Sequence, residues 1–155
     1  MEKEKHMLEA IELSIKSVEN GGGPFGAVIV KDGQVISKAS NSVTLNNDPT
    51  AHAEVNAIRQ ACKSLNTFSL KGSILYTSCE PCPMCLSAAY WAGIDKIYFA
   101  NSRQDAANIN FNDAFIYDEI SLEPDKRSIT SKQILREQAI KAFELWEQKD
   151  NKIEY

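Results

Sequence analysis

Ser73-Ile74-Leu75-Tyr76-Thr77-Ser78-Cys79-Glu80-Pro81-Cys82-Pro83-Met84-Cys85-Leu86-Ser87-Ala88-Ala89-Tyr90-Trp91 changes character at its middle. Its first five residues are apolar or β-favouring and read as a buried strand, and Glu80-Pro81 ends that pattern. Proline is well placed at a helix start, so a helix is expected from about 83 to 91, closed by Gly93. Lys96-Ile97-Tyr98-Phe99-Ala100 then reads as a second strand. Strand, helix and strand in close succession imply two parallel strands joined by a right-handed crossover.

Upstream, Asn46-Asn47-Asp48-Pro49-Thr50 marks a loop and a helix start, with a helix expected from about 51 to 63. Phe25-Gly26-Ala27-Val28-Ile29-Val30 and Val35-Ile36-Ser37-Lys38-Ala39 flank Lys31-Asp32-Gly33-Gln34, whose Asp-Gly pair signals a hairpin. The N-terminus reads as an amphipathic helix with Met7, Leu8, Ile11, Ile15 and Val18 on its apolar face, stopped by Asn20-Gly21-Gly22-Gly23-Pro24. The fold class is therefore α/β, with a mixed sheet. Past residue 100 the pattern weakens. Residues 101–112 read as loop or short helix, Phe115-Ile116-Tyr117 as a helical turn and 122–128 as a connection. A last helix is expected from about 131 to 148, carrying Ile134, Leu135, Ile140, Phe143, Leu145 and Trp146. No repeat or low-complexity linker divides the chain, so 1–155 is expected to form a single domain.

The 155 residues are 43% hydrophobic and 25% charged, a globular balance that excludes a disordered or fibrous chain. Seventeen Lys and Arg against twenty-one Asp and Glu give a net charge of −4, which argues against nucleic-acid wrapping. From residue 131 onward five basic residues meet five acidic ones, which leaves no phosphate-binding stripe. No apolar run is long enough for a membrane span, and Met1-Glu2-Lys3-Glu4-Lys5-His6 does not open a secretory signal. A reducing, cytoplasmic setting is expected, where clustered cysteines serve metals or catalysis rather than disulfides.

The chain has two histidines. His6, among charged terminal residues, reads as a solvated surface group. His52 lies in Thr50-Ala51-His52-Ala53-Glu54, ahead of Cys82 and Cys85 at i and i+3 on one face of a helix's first turn. A helix N-terminus favours thiolates there. Three ligands, His52, Cys82 and Cys85, would hold Zn²⁺ and leave a fourth position to water, the arrangement of a catalytic zinc. Glu54 would then serve as the proton carrier. Two other readings stand beside it: a closed structural zinc site with Cys79 as fourth ligand and no turnover, and a redox-active Cys-x-x-Cys.

His-x-Glu followed by Pro-Cys-x-x-Cys is the signature of zinc-dependent deaminases. Together with Gly22-Gly23-Pro24-Phe25-Gly26-Ala27-Val28, Asn41, Asp48-Pro49-Thr50-Ala51, Tyr76-Thr77-Ser78-Cys79-Glu80, Phe111-Asn112-Asp113-Ala114-Phe115-Ile116-Tyr117 and the terminal Glu154-Tyr155, it resembles the cytidine-deaminase-like superfamily, and within it the bacterial guanine deaminases. The likeness spans nearly the whole chain and is weakest between about 118 and 150. It implies a three-layer α/β/α fold with a mixed five-stranded sheet, a zinc cofactor and a purine substrate, guanine being hydrolysed to xanthine and ammonia. Guanosine, or adenosine in a tRNA, is the alternative substrate for the same centre. The resemblance further implies a homodimer in which the C-terminal segment, about 131–155, crosses to the partner subunit and covers its site. By the same resemblance Phe25 stacks on the purine, Asn41 hydrogen-bonds it, and Ala53 and Trp91 border it. Asp113 assists proton transfer to the departing amine, and Tyr155 closes the neighbouring site. Asn112 stands where the family often has a second Asp.

Overall fold

Asp32 and Gly33 both take positive φ, +50° and +74°, the backbone that a tight two-residue hairpin demands. The computed structural model describes all residues from Met1 to Tyr155. This hairpin joins β1 (Gly26–Lys31) to β2 (Gln34–Ser40) in antiparallel register. β1 also pairs antiparallel with β3 (Ser73–Cys79), which pairs in parallel with β4 (Lys96–Asn101). The strand order is β2-β1-β3-β4, so the mixed sheet has four strands rather than the expected five. After Asn101 the chain runs into short helices and unpaired segments, and none of it joins the ladder.

The two central strands alternate their side chains between two cores, as the pleat requires. Ala27, Ile29 and Leu75 face helix α3 (Ala53–Leu65), whose Ala53, Ala57 and Ala61 pack against them. Val28, Val30 and Tyr76 face helix α1 (Glu2–Glu19) through Ala10. Residues 1–113 thus form three layers, α1, sheet and α3, with α4 (Pro83–Ala92) beside α3.

Helix α1 forms as expected, but of its expected apolar face Met7 packs against the core and Leu8, Ile15 and Val18 do not. His6, Ala10 and Ser17 are inside, whereas Leu8, Ile15 and Val18 are more than half exposed. The cause is close approach. A Cβ built on Gly26 would overlap the Ala10 carbonyl oxygen and lie 2.7 Å from Leu13 Cβ, so the helix backbone sits almost on the strand. Only small side chains fit in that gap; Met7 and Leu13 pack beside it against the second core, and Leu8, Ile15 and Val18 turn outward. His6, expected in solvent, packs its ring 5.3 Å from that of Tyr76.

Short helices α2 (Val43–Asn46) and α5 (Arg103–Asn108) complete the first unit. Residues 114–155 form a second compact unit containing α6 (Ala114–Ser121), a 3₁₀ turn at Pro124–Lys126 and α7 (Arg136–Glu147). α7 begins five residues later than the apolar pattern suggested, and neither α6 nor α7 has a buried residue. No helix is long and apolar enough to cross a membrane.

Candidate metal centre and active site

Two helices start at the site. His52 is the N-cap of α3 and Cys82 the N-cap of α4, both in extended backbone. At Cys82 this follows from Pro83, because proline drives the preceding residue out of the helical region. The Cys85 backbone N–H donates to the Cys82 sulfur over 3.5 Å, and the Cys85 side chain comes up beside it one turn into α4.

The spacing of these atoms tests whether they suit zinc. Zn–S near 2.3 Å and Zn–N near 2.0–2.1 Å at tetrahedral angles place a sulfur and a nitrogen about 3.5 Å apart across the ion. His52 Nδ1 lies 3.5 Å from Cys82 Sγ and 3.4 Å from Cys85 Sγ, and all three ligand atoms fall within 4.8 Å of one another. Their acid–base chemistry agrees. The Cys82 thiol is pushed down to about 4, chiefly by its bond to the Cys85 sulfur and then by His52. That same Cys82 sulfur, with burial, pushes Cys85 up. Without a cation the pair favours one thiolate; a divalent ion among them stabilises two.

Glu54, in the first turn of α3, is buried, and burial pushes its carboxyl above the ordinary range. Its Oε1 accepts a hydrogen bond from Thr77 Oγ1 over 3.1 Å, and its Oε2 lies 3.4 Å from Cys85 Sγ. His52, Glu54 and Cys82 open into a cavity of about 430 Å³ that Phe25, Asn41 and Asp113 also line, a size usual for a small-molecule site. Burial likewise raises the Asp113 carboxyl. Asn41 Oδ1 accepts from the backbone N–H of Gly23 (3.4 Å) and of Val43 (3.1 Å), which fixes the amide's orientation and leaves Nδ2 as its donor for a ligand.

Six of the residues singled out from the sequence therefore share one cavity, with Cys85 buried directly behind them. Ala53 is not among the lining residues; its side chain belongs to the core. Trp91, on α4, is 71% exposed and outside the lining, and Tyr155 lies in the second unit. Cys79 lines the cavity but is outside the ligand cluster: its Sγ is 3.7 Å from the Ser102 carbonyl oxygen, and burial pushes the thiol up to about 11. The closed four-ligand reading loses its fourth ligand.

The structure adds lining residues that sequence reasoning missed. Phe111 meets Phe25 edge to face at 5.1 Å, making an aromatic corner, and Val43 and Thr44 come from the short helix α2. Phe111 stood in the quoted Phe-Asn-Asp stretch; Val43 and Thr44 gave no signal, since four residues are too few for a period to register. Arg103 joins Glu80 at the rim, its Nε 3.0 Å from Glu80 Oε1 and its backbone N–H donating to Oε2 over 3.1 Å.

Comparison with known proteins agrees with this geometry. Residues 1–101 match the cytidine and deoxycytidylate deaminase zinc-binding region. The chain is 49% identical to guanine deaminase of Bacillus subtilis (strain 168) over 156 aligned positions, covering 100% of both. It is 47% identical over 100 residues to the tRNA-specific adenosine deaminase of Aquifex aeolicus, covering 64% of this chain and 66% of that one. The X-ray structure of the Bacillus subtilis guanine deaminase superposes with a TM-score of 0.95 at 49% identity, covering 98% of each chain.

Proposed function

The chain belongs to the cytidine and deoxycytidylate deaminase family of zinc-binding enzymes, and on that premise we propose that it hydrolyses guanine to xanthine and ammonia. The observation that carries this reading is the full-length likeness to a guanine deaminase, 49% identical, together with a buried Glu54 carboxyl 3.4 Å from a ligand sulfur in the wall of a cavity with an aromatic corner and a fixed amide donor. His52, Cys82 and Cys85 would hold the zinc ion, which when bound would supply Lewis acidity to make water a nucleophile at neutral pH.

The protein's own groups do the rest. Phe25 stacks on the purine plane, and Phe111 meets its edge. Asn41 Nδ2 donates to a ring or carbonyl acceptor of the base. Glu54 accepts a proton from the attacking water and returns it to the ring nitrogen next to the carbon under attack. Asp113 and Glu54 assist protonation of the departing amine, which leaves as ammonia while the carbonyl of xanthine forms.

The functional unit in this reading is a cytoplasmic homodimer. The segment 131–155 crosses to the partner subunit, Tyr155 closes the neighbouring site and Trp91 borders a pocket completed by the dimer. Support comes from α7, where Phe143, Leu145 and Trp146 are all exposed and no residue is buried.

The test is ammonia release by zinc-loaded protein from guanine, guanosine, cytosine, cytidine, adenine and an anticodon stem-loop. Prompt turnover of guanine alone is expected. Glu54→Gln should keep one zinc per chain and lose about 10²–10⁴-fold in kcat, the usual worth of a general acid–base. Full activity in that variant, or turnover of the stem-loop instead of guanine, overturns the assignment.

A further inference from the structure

We propose that Thr77 is a positioning residue for catalysis, holding the Glu54 carboxylate so that one oxygen is anchored and the other serves the metal centre. The inference rests on the role given to Glu54 above. Thr77 is fully buried in β3, one of the two central strands, and is matched to Ala27 on one side and Phe99 on the other. Its backbone is thus fixed from both directions, and its branched side chain has little freedom at χ1.

Glu54 is held less firmly: its own backbone amide and the Cys85 thiol also contact its carboxyl. Three torsions separate its carboxylate from α3, and the last of them is broad, so burial alone does not choose which oxygen faces which neighbour. The Thr77 hydroxyl distinguishes the two oxygens from the sheet side, because it bonds Oε1 alone. Its oxygen lies 3.1 Å from Glu54 Oε1 and 3.0 Å from the Cys79 carbonyl oxygen. It has one hydrogen to give, and a carboxylate is the stronger acceptor of the two. With Oε1 held by the strand, Oε2 is the oxygen beside Cys85 Sγ, at 3.4 Å. Proton transfer then falls to Oε2, while Oε1 keeps one partner throughout. The sheet, through this hydroxyl, aims a group borne on a helix.

Valine has the shape of threonine without the hydroxyl, and serine keeps the hydroxyl without the methyl. The experiment compares Thr77→Val and Thr77→Ser with the unaltered full-length protein. It reads kcat and KM for guanine, zinc content, and the Glu54 conformation in crystals of each. Misplacing a reacting group by an ångström costs up to about a hundredfold, so Thr77→Val should lose about 10–100-fold in kcat. Its KM should stay within about twofold and its zinc at one per chain, because neither ligation nor the stacking wall has changed. Thr77→Ser should recover most of the rate. Unchanged kcat in Thr77→Val, or a Thr77→Ser as slow as Thr77→Val, overturns the proposal, the latter because methyl packing would then be the cause. If Thr77→Val does not retain zinc, Thr77→Ala is judged by the same criteria. If the unaltered protein releases no ammonia from guanine, the functional reading fails by itself. The anchor is then decided by the crystals: a rotated Glu54 carboxylate in Thr77→Val upholds it and an unmoved one refutes it.

Discussion

The two units of the chain differ in what their apolar side chains do. In residues 1–113, Ile29, Leu75 and Leu70 are fully buried, and two cores lie on opposite faces of one sheet. In residues 114–155, Phe115, Ile134, Phe143 and Leu145 are each more than half exposed, and helices α6 and α7 bury nothing. Isolated helices shorter than about 12–15 residues are marginal in water. With eight and twelve residues, α6 and α7 are at or below that length. The first unit thus builds its own interior and places the ligands at its edge. The second has the composition of a segment that finishes its burial in an assembly, in line with the proposed exchange between subunits.

The sharpest way to break this contrast is to take the metal away. Chelation of the loaded protein should abolish ammonia release, and added zinc should restore it. The far-UV circular dichroism should hardly change, because neither core runs through the ligand atoms. Loss of the helical signal on chelation would mean that the site and the first unit's interior stand or fall together.

Next in size is a pair of substitutions, one in each unit. Leu75→Ala opens a cavity in a closed core and should cost about 2–5 kcal/mol in urea unfolding. Phe143→Asp removes an exposed side chain, so it should leave zinc at one per chain and shift sedimentation from dimer to monomer. A Phe143→Asp protein that remains dimeric would remove α7 from the proposed interface.

The smallest effect concerns α5. Asp105 accepts hydrogen bonds from the Ser102 hydroxyl and backbone N–H, both at 2.7 Å, and the hydroxyl contact chiefly holds its carboxyl below the usual range. A carboxyl lowered in the fold binds fewer protons there than in the unfolded chain, so its contribution is present above the ordinary aspartate value of about 3.9 and lost as pH falls through the lower folded value. Asp105→Asn should therefore lower the melting temperature slightly at pH 7 and have no effect in strong acid. Equal loss at both pH values would assign the effect to shape rather than charge.

Much of the first unit was legible because its signals are local. Asp32-Gly33 sets its own turn, Pro83 starts its own helix, and the ligand set depends on residue types at short spacings. The inward face of α1 was legible only at Met7. Its apolar period points outward through Leu8, Ile15 and Val18, because the approach of Ala10 to Gly26 admits only small groups. That gap is a property of two segments together and is written in neither. His6 failed for a related reason: its charged neighbours describe the helix's wet side, while Tyr76 on a distant strand determines where the ring lies. The expected fifth strand came from likeness to a family rather than from any run of residues here. In the site, the meeting of His52, Cys82 and Cys85 with Glu54 beside them was readable, but Phe111, Val43 and Thr44 reach the cavity through folding that leaves no period in the chain.

His52 and Cys82 each stand one residue ahead of a helix, so the site is indexed from helix beginnings rather than helix lengths. An α-helix turns about 100° per residue. One residue added between His52 and Glu54 would swing the carboxylate a quarter-turn away from Cys85, whereas one added after Leu65 or Ala92 would merely lengthen a far end. Natural variation in this architecture should accordingly crowd into the distal loops, and the two starting turns should keep their count to the residue.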